Sequence, residues 1–165
     1  RERKMPTPTY VALATTTLAS TDSQIDFTSI PSTYRDLVIV IDTGVTAGAY
    51  DIRMFFNADT STGNYSRVVA WGNGGSVGSL TGAEQITYYG APRDTQNSTN
   101  FVQVMDYSAT DKHKTSLVRS NNSASGLDMI ASRWANTAAI TSVRLLPSAN
   151  SFTIGSTFSL YGIEA

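Results

Sequence analysis

The sequence predicts an all-β protein: a two-sheet antiparallel sandwich, jelly-roll-like, of about ten short strands. Three observations lead there. Apolar residues recur at every second position through much of the chain, the period of a strand with one buried face. Clusters of Gly, Pro, Asn, Asp and Ser interrupt these runs at short intervals, as in sandwiches and barrels. Only 15% of residues are charged, against about 25% in ordinary soluble domains. Hydroxyls and amides take the place of the missing charges, and the β-branched Thr among them favours strands. No repeat of fixed period is present, which argues against a propeller or solenoid.

The elements follow in order. Tyr10–Ser20 is rich in Thr and small apolar residues, and Gln24–Ile30 alternates Ile25 and Phe27 before a turn at Pro31-Ser32. Asp36–Thr43 is continuously apolar from Leu37 to Ile41 and reads as a central strand covered on both faces. In Asp51–Asn57, Ile52, Met54 and Phe56 share one face, with Arg53 and Phe55 on the other. The turn cluster Asn57–Asn64 leads into Tyr65–Gly72, which predicts a hairpin. Asn73–Gly82 reads as a glycine loop, Gln85–Gly90 as a short aromatic strand and Ala91–Thr99 as a polar loop.

Asn100–Ser108 alternates again, with Phe101, Gln103, Met105 and Tyr107 opposed to Val102 and Val104. Beyond the charged turn Ala109–Lys114 lies a strand at Thr115–Ser120, then a turn at Asn121–Gly126. Leu127–Ala135 fits helical spacing as well, through Leu127, Ile130, Ala131 and Trp134; its neighbours favour a strand. Ala139–Pro147 and Ser156–Ile163 are the last two runs. The final one is expected inside a sheet, hydrogen-bonded on both sides, with Phe158 and Leu160 in the core and Ser159 and Tyr161 opposite.

The 165 residues suit one domain, here residues 10–165, behind an N-terminal arm or tail at residues 1–9. A chain this long buries roughly 70% of its unfolded surface and needs no staple. It has no cysteine, which excludes disulfides, thiolate metal sites and cysteine nucleophiles. A net charge of −1 offers nothing to draw DNA phosphates from a distance, so no nucleic-acid partner is expected. No run reaches the ~18 apolar residues of a membrane helix. The start carries Arg1, Arg3 and Lys4 without the apolar stretch of a secretory leader, and reads as a solvated tail or an attachment arm.

Chemistry is sparse, and neither a catalytic residue, a metal site nor a cofactor is expected. The single histidine, His113, lies between two lysines in a polar turn, a poor place to hold an oriented imidazole. Gly72–Gly78 lacks the lysine and helix start of a phosphate loop. Asn57, Asp59, Ser61 and Gly63 faintly echo a calcium loop without its bidentate glutamate, and local Asx-turns explain them better. A carboxylate pair for glycoside cleavage has thin material, since outside the N-terminal arm the only glutamates are Glu84 and Glu164. Aromatic residues offer more: Tyr65, Trp71, Tyr88, Tyr89 and Trp134 are candidates for a glycan-stacking platform or a subunit interface.

Two segments carry a family likeness. The pattern F-x-x-I-P-x-x-Y-x-D-L is met by Phe27, Ile30, Pro31, Tyr34, Asp36 and Leu37, and G-S-x-F-x-L-Y-G-I by Gly155, Ser156, Phe158, Leu160, Tyr161, Gly162 and Ile163. With these, the chain resembles small β-sandwich structural proteins of tailed bacteriophages, of the capsid-decoration, head-fibre or tail-fibre type. The resemblance implies a virion location, other capsid or tail subunits as partners, and a homo-oligomer, expected as a trimer. It carries no catalytic residue. A glycan-binding receptor module of a tail fibre, reading a host surface glycan, is the alternative, and a polysaccharide-degrading enzyme the third.

Overall fold

The computed structural model describes residues 9–83, 86–87, 90–93 and 96–164. Its strands are β1 (Tyr10–Thr17), β2 (Ile25–Phe27), β3 (Asp36–Thr43), β4 (Ile52–Phe56), β5 (Tyr65–Gly72), β6 (Val77–Gly82), β7 (Ser98–Met105), β8 (Lys114–Asn122), β9 (Gly126–Trp134), β10 (Val143–Pro147) and β11 (Thr157–Ile163). A single 3-10 turn at Thr62–Asn64 is the only helical element among the described residues. Every strand pairing is antiparallel. Eight strands form one sheet in the order β1-β11-β3-β7-β8-β9-β5-β6; β2, β10 and β4 form the other. The expected two-sheet sandwich is present, with an uneven division between its layers.

Alternation decides which side chains go inside. Leu37, Ile39 and Ile41 of β3, Val102 and Val104 of β7, Val118 of β8, Ile130 of β9 and Val69 of β5 point toward the small sheet. Ile25 and Phe27, Ile52, Met54 and Phe56, and Val143 and Leu145 answer from β2, β4 and β10. Phe152 and Phe158 close one end of this core, ring centroids 4.9 Å apart. β11 lies between β1 and β3, Phe158 and Leu160 buried as expected. The ambiguous run after Gly126 is a strand as far as Trp134.

A three-stranded sheet cannot cover an eight-stranded one. Part of the remaining inner face lies under Thr87, Gly90 and Ala91, and there the inward residues turn polar. Ser120 donates to the carbonyl of Gly90 at 3.1 Å and to Asn100 at 2.6 Å. Asn122 donates to the carbonyl of Ala91, and the Asp128 carboxylate accepts the Gly90 N–H at 2.9 Å. Thr87 receives the Ile52 N–H on its hydroxyl. An irregular backbone laid over a sheet needs such partners, because its buried N–H and C=O groups have no ladder to join.

Four sequence expectations change. The glycine loop contains a strand: Asn73 Oδ1 accepts the N–H groups of Gly75 and Ser76, and β6 then returns along β5. Gly78 is small because the Trp71 ring crosses it; a Cβ there would come within 2.7 Å of the indole. The predicted hairpin over Asn57–Asn64 is instead a corner between layers, since β4 belongs to the small sheet and β5 to the large one. Ile86, Thr87 and Gly90 do not form the predicted aromatic strand. Tyr107 leaves the face of Phe101 and Met105 because Asp106 adopts φ +46°, which turns the next ring into the core.

Candidate functional site: the outer face of the large sheet

The sequence-predicted site residues scatter. Trp134 is buried, and its indole N–H donates to Asp59 at 2.8 Å. Tyr65 packs against the core; its hydroxyl accepts the Phe56 N–H at 3.0 Å and donates to the Asp59 carbonyl at 2.8 Å. Both rings thus pin the corner between the layers, Trp134 buried and Tyr65 half-buried. Trp71 is half-buried against Gly78 and the core. Tyr88 and Tyr89, Glu84, and the arm residues Arg1, Arg3 and Lys4 lie outside the described residues.

The faint calcium-like loop is a hydrogen-bonded corner. Asp59 accepts from Trp134, from Asn64 at 2.8 Å and from the Ser61 N–H at 3.0 Å, and these bonds, led by the indole, hold its carboxyl below the usual carboxylate range. Asn57 receives the N–H groups of Thr141 and Ser142 and donates to the Ala139 carbonyl. Both side chains are engaged by the corner itself. His113 and Glu164 are exposed. Among the described residues no three His, Asp or Glu side chains converge as metal ligands would.

Lys114 is buried, and among the described residues its ammonium donates to the carbonyls of Lys112 and Thr137, at 2.9 and 3.1 Å. Desolvation pushes its pKa down. Asp106 and Lys112 pair at 2.8 Å on the surface; their mutual bond lowers the carboxyl and raises the ammonium. These groups stitch loops together.

What the fold does expose is the outer face of the large sheet from β7 to β6; at β3 that face is closed, with Val38 buried, as expected of a strand covered on both sides. Strand register sorts its side chains into rows. One row runs Thr81, Val68, Ala131, Leu117, Gln103, Val38, Tyr161 and Ala12 from β6 to β1. The next runs Ser79, Ala70, Met129, Arg119, Phe101, Val40, Ser159 and Thr15. Val68, Leu117, Leu127 and Met129 each leave more than half of their surface in water. Scattered exposed apolar residues are ordinary; contiguous ones mark contact surfaces. Here Val68, Leu117 and Met129 line a shallow groove of about 390 Å³ together with Ala70, Phe101 and Ala131.

Its electrostatics are simple. Arg119 lies over the Phe101 ring, 4.8 Å from the centroid, a cation–π contact that lays the guanidinium along the sheet. Arg133 stands in the row of Ser66, Thr115 and Met105. Among the described residues no carboxylate lines the groove or its neighbour toward Arg133. Asp36, at the margin, is buried and engaged by Arg35, by Gln103 and by the Asp106 N–H. Such a face can bind by shape and apolar contact; it offers no pair of groups to move a proton.

The sequence signal for this face is the set of outward positions on β5, β8 and β9, where Val68, Leu117, Leu127 and Met129 stand instead of polar residues. It becomes visible only once register joins them. Neither a protein-family model nor any curated protein matches the chain.

Proposed function

We propose that this chain is a non-enzymatic structural protein of a phage virion, a capsid-decoration or head-fibre component on the particle surface. It acts by adhesion through the outer face of its large sheet. One observation carries the reading: the exposed face gathers Val68, Leu117 and Met129 about its centre, with Arg119 laid over the Phe101 ring among them and hydroxyls at Thr81, Ser79, Ser159 and Thr15 toward both edges. Apolar centre and polar rim are the anatomy of a protein interface. The carboxylate at its margin, Asp36, is tied into structural bonds. The virion assignment itself rests on the resemblance of the Phe27–Leu37 and Gly155–Ile163 segments, which meet in the fold as β3 beside β11.

The glycan-receptor reading has less support, because Tyr65 and Trp134 serve the corner and not a surface. Quantitative mass spectrometry of purified particles of the encoding virus tests the proposal. The chain is expected at a fixed copy number relative to the major capsid protein and is released by mild dissociation. Its absence from washed particles would overturn the reading. Binding on a host-polysaccharide array that is lost with Trp71→Ala would instead favour the receptor.

A further inference from the structure

We infer that the outer face of the large sheet is a self-association surface, on which a second copy of this chain docks about a two-fold axis parallel to the strands, between β8 and β9. The inference rests on the adhesive reading of that face and adds its occupant.

Register supplies the first argument. A two-fold along the β8–β9 seam leaves each row on itself and exchanges β8 with β9 and β7 with β5. In the first row Leu117 of one copy then meets Ala131 of the other, and Gln103 meets Val68. In the second row Phe101 meets Ala70, and the stem of Arg119 meets Met129. The ridges Leu117 and Phe101 fall over the hollows Ala131 and Ala70. Such self-complementarity is what an isologous contact requires.

Charge supplies the second. The axis sets Arg133 opposite Thr115 and Arg119 opposite Met129, so neither guanidinium lies directly over its own copy. Area supplies the third. The axis overlaps six strands, from β3 to β6 in sheet order; at ~4.8 Å spacing and about seven residues at ~3.4 Å they make a face of roughly 24 by 24 Å, about 580 Å² per copy. The pair buries about 1,150 Å² in all, above the roughly 1,000 Å² that a specific interface needs.

The test is a charge swap read by sedimentation equilibrium or native mass spectrometry. The wild-type chain is expected at twice the chain mass. Leu117→Glu places a carboxylate over Ala131 of the second copy and is expected to weaken association at least roughly 100-fold; Ala131→Lys does the same from the other side. Mixed in equal amounts, the two variants are expected to recover a heterodimer, because the carboxylate introduced at position 117 of one then faces the ammonium introduced at position 131 of the other. Ile154→Glu, an exposed apolar position outside the strands, is the control and leaves the dimer intact. Circular dichroism of each variant separates loss of pairing from loss of fold, and an unfolded charge variant is replaced by Leu117→Ser and Ala131→Ser, read for weakened pairing.

A monomeric wild type, the trimer expected from the resemblance, or a dimer indifferent to Leu117→Glu would overturn the inference. So would failure of the mixture to pair. None of these outcomes depends on whether the chain is found in particles, so the two readings fail separately.

Discussion

The Tyr34 ring lies against the backbone of Gly162, so close that a Cβ at position 162 would overlap Tyr34 Cγ. This contact joins the two segments that carry the family likeness. Gly162 is paired with Leu37 across β11 and β3, three residues beyond Tyr34. The Tyr34 N–H also meets the hydroxyl of the buried Tyr107, which in turn donates to the Pro31 carbonyl. The two patterns are therefore one structural device: a loop clasped onto a strand that has been stripped of its side chain to receive it.

Gly162→Ala is expected to destabilise the fold by about 1–3 kcal/mol, the usual cost of overpacking. Tyr34→Ala in the same chain should remove most of the added penalty. Urea denaturation of the two single variants and the double variant checks this, and additive losses would show that the ring is not what excludes the Cβ.

Leu160→Ala is expected to cost about 2–5 kcal/mol. Leu160 is 1% exposed between β1 and β3, opposite Ala14 and Ile39. The midpoint of chemical unfolding reads it directly. A loss below about 1 kcal/mol, under the range for a buried leucine, would contradict the packing of β11 described above.

The corner carries backbone strain that removal of a single atom relieves. Asn57 and Ala58 both take left-handed conformations, φ 52° and 57°, in a turn closed by the Asp59 N–H on the Phe56 carbonyl at 2.9 Å. Asn tolerates this region, whereas for Ala the Cβ costs about 1–2 kcal/mol. Ala58→Gly is expected to stabilise by about 0.5–1 kcal/mol after the unfolded chain gains its own freedom. A rise in melting temperature checks it; a fall would place the strain elsewhere.

The same corner predicts acid sensitivity. The Asp59 carboxyl titrates below its ordinary value because the Trp134 indole, Asn64 and Ser61 donate to its charged form. A group of that kind stabilises the fold above its unfolded pKa, about 3.9, and the contribution drains as pH falls from there through the folded pKa. Asp59→Asn should therefore be less stable at neutral pH and should lose less on acidification from neutral pH through the carboxylate range than the wild type. Thermal melts over that range measure the difference, and parallel curves would mean Asp59 is not linked to folding.

Much of this fold is legible in the sequence because period 2 survives wherever one face is dry. β5 and β9 bury alternate residues, β3 is apolar without alternation because both its faces are covered, and Phe158 and Leu160 fall where alternation puts them. The pattern fails where something other than a sheet supplies the cover. Under Gly90 and Ala91 the inward residues are Ser120, Asn122 and Asp128, whose polarity reads as solvent exposure until the backbone above them is placed. β6 is hidden by its glycines, one of which exists to admit Trp71. The corner after β4 looks like a hairpin because turn residues do not state which sheet the chain enters next. The outer face is the hardest to read: each exposed Val, Leu or Met is ordinary alone, and only cross-strand register makes Val68, Leu117 and Met129 a surface.

For the proposed virion role, a cryo-electron-microscopy reconstruction of purified phage particles that carry this gene is the most direct measurement. It should show this chain on the particle exterior with protein density seated on the β7-β8-β9-β5 face, over Leu117 and Met129. A particle in which that face stands bare in solvent, or from which the chain is missing, would contradict the role proposed for it.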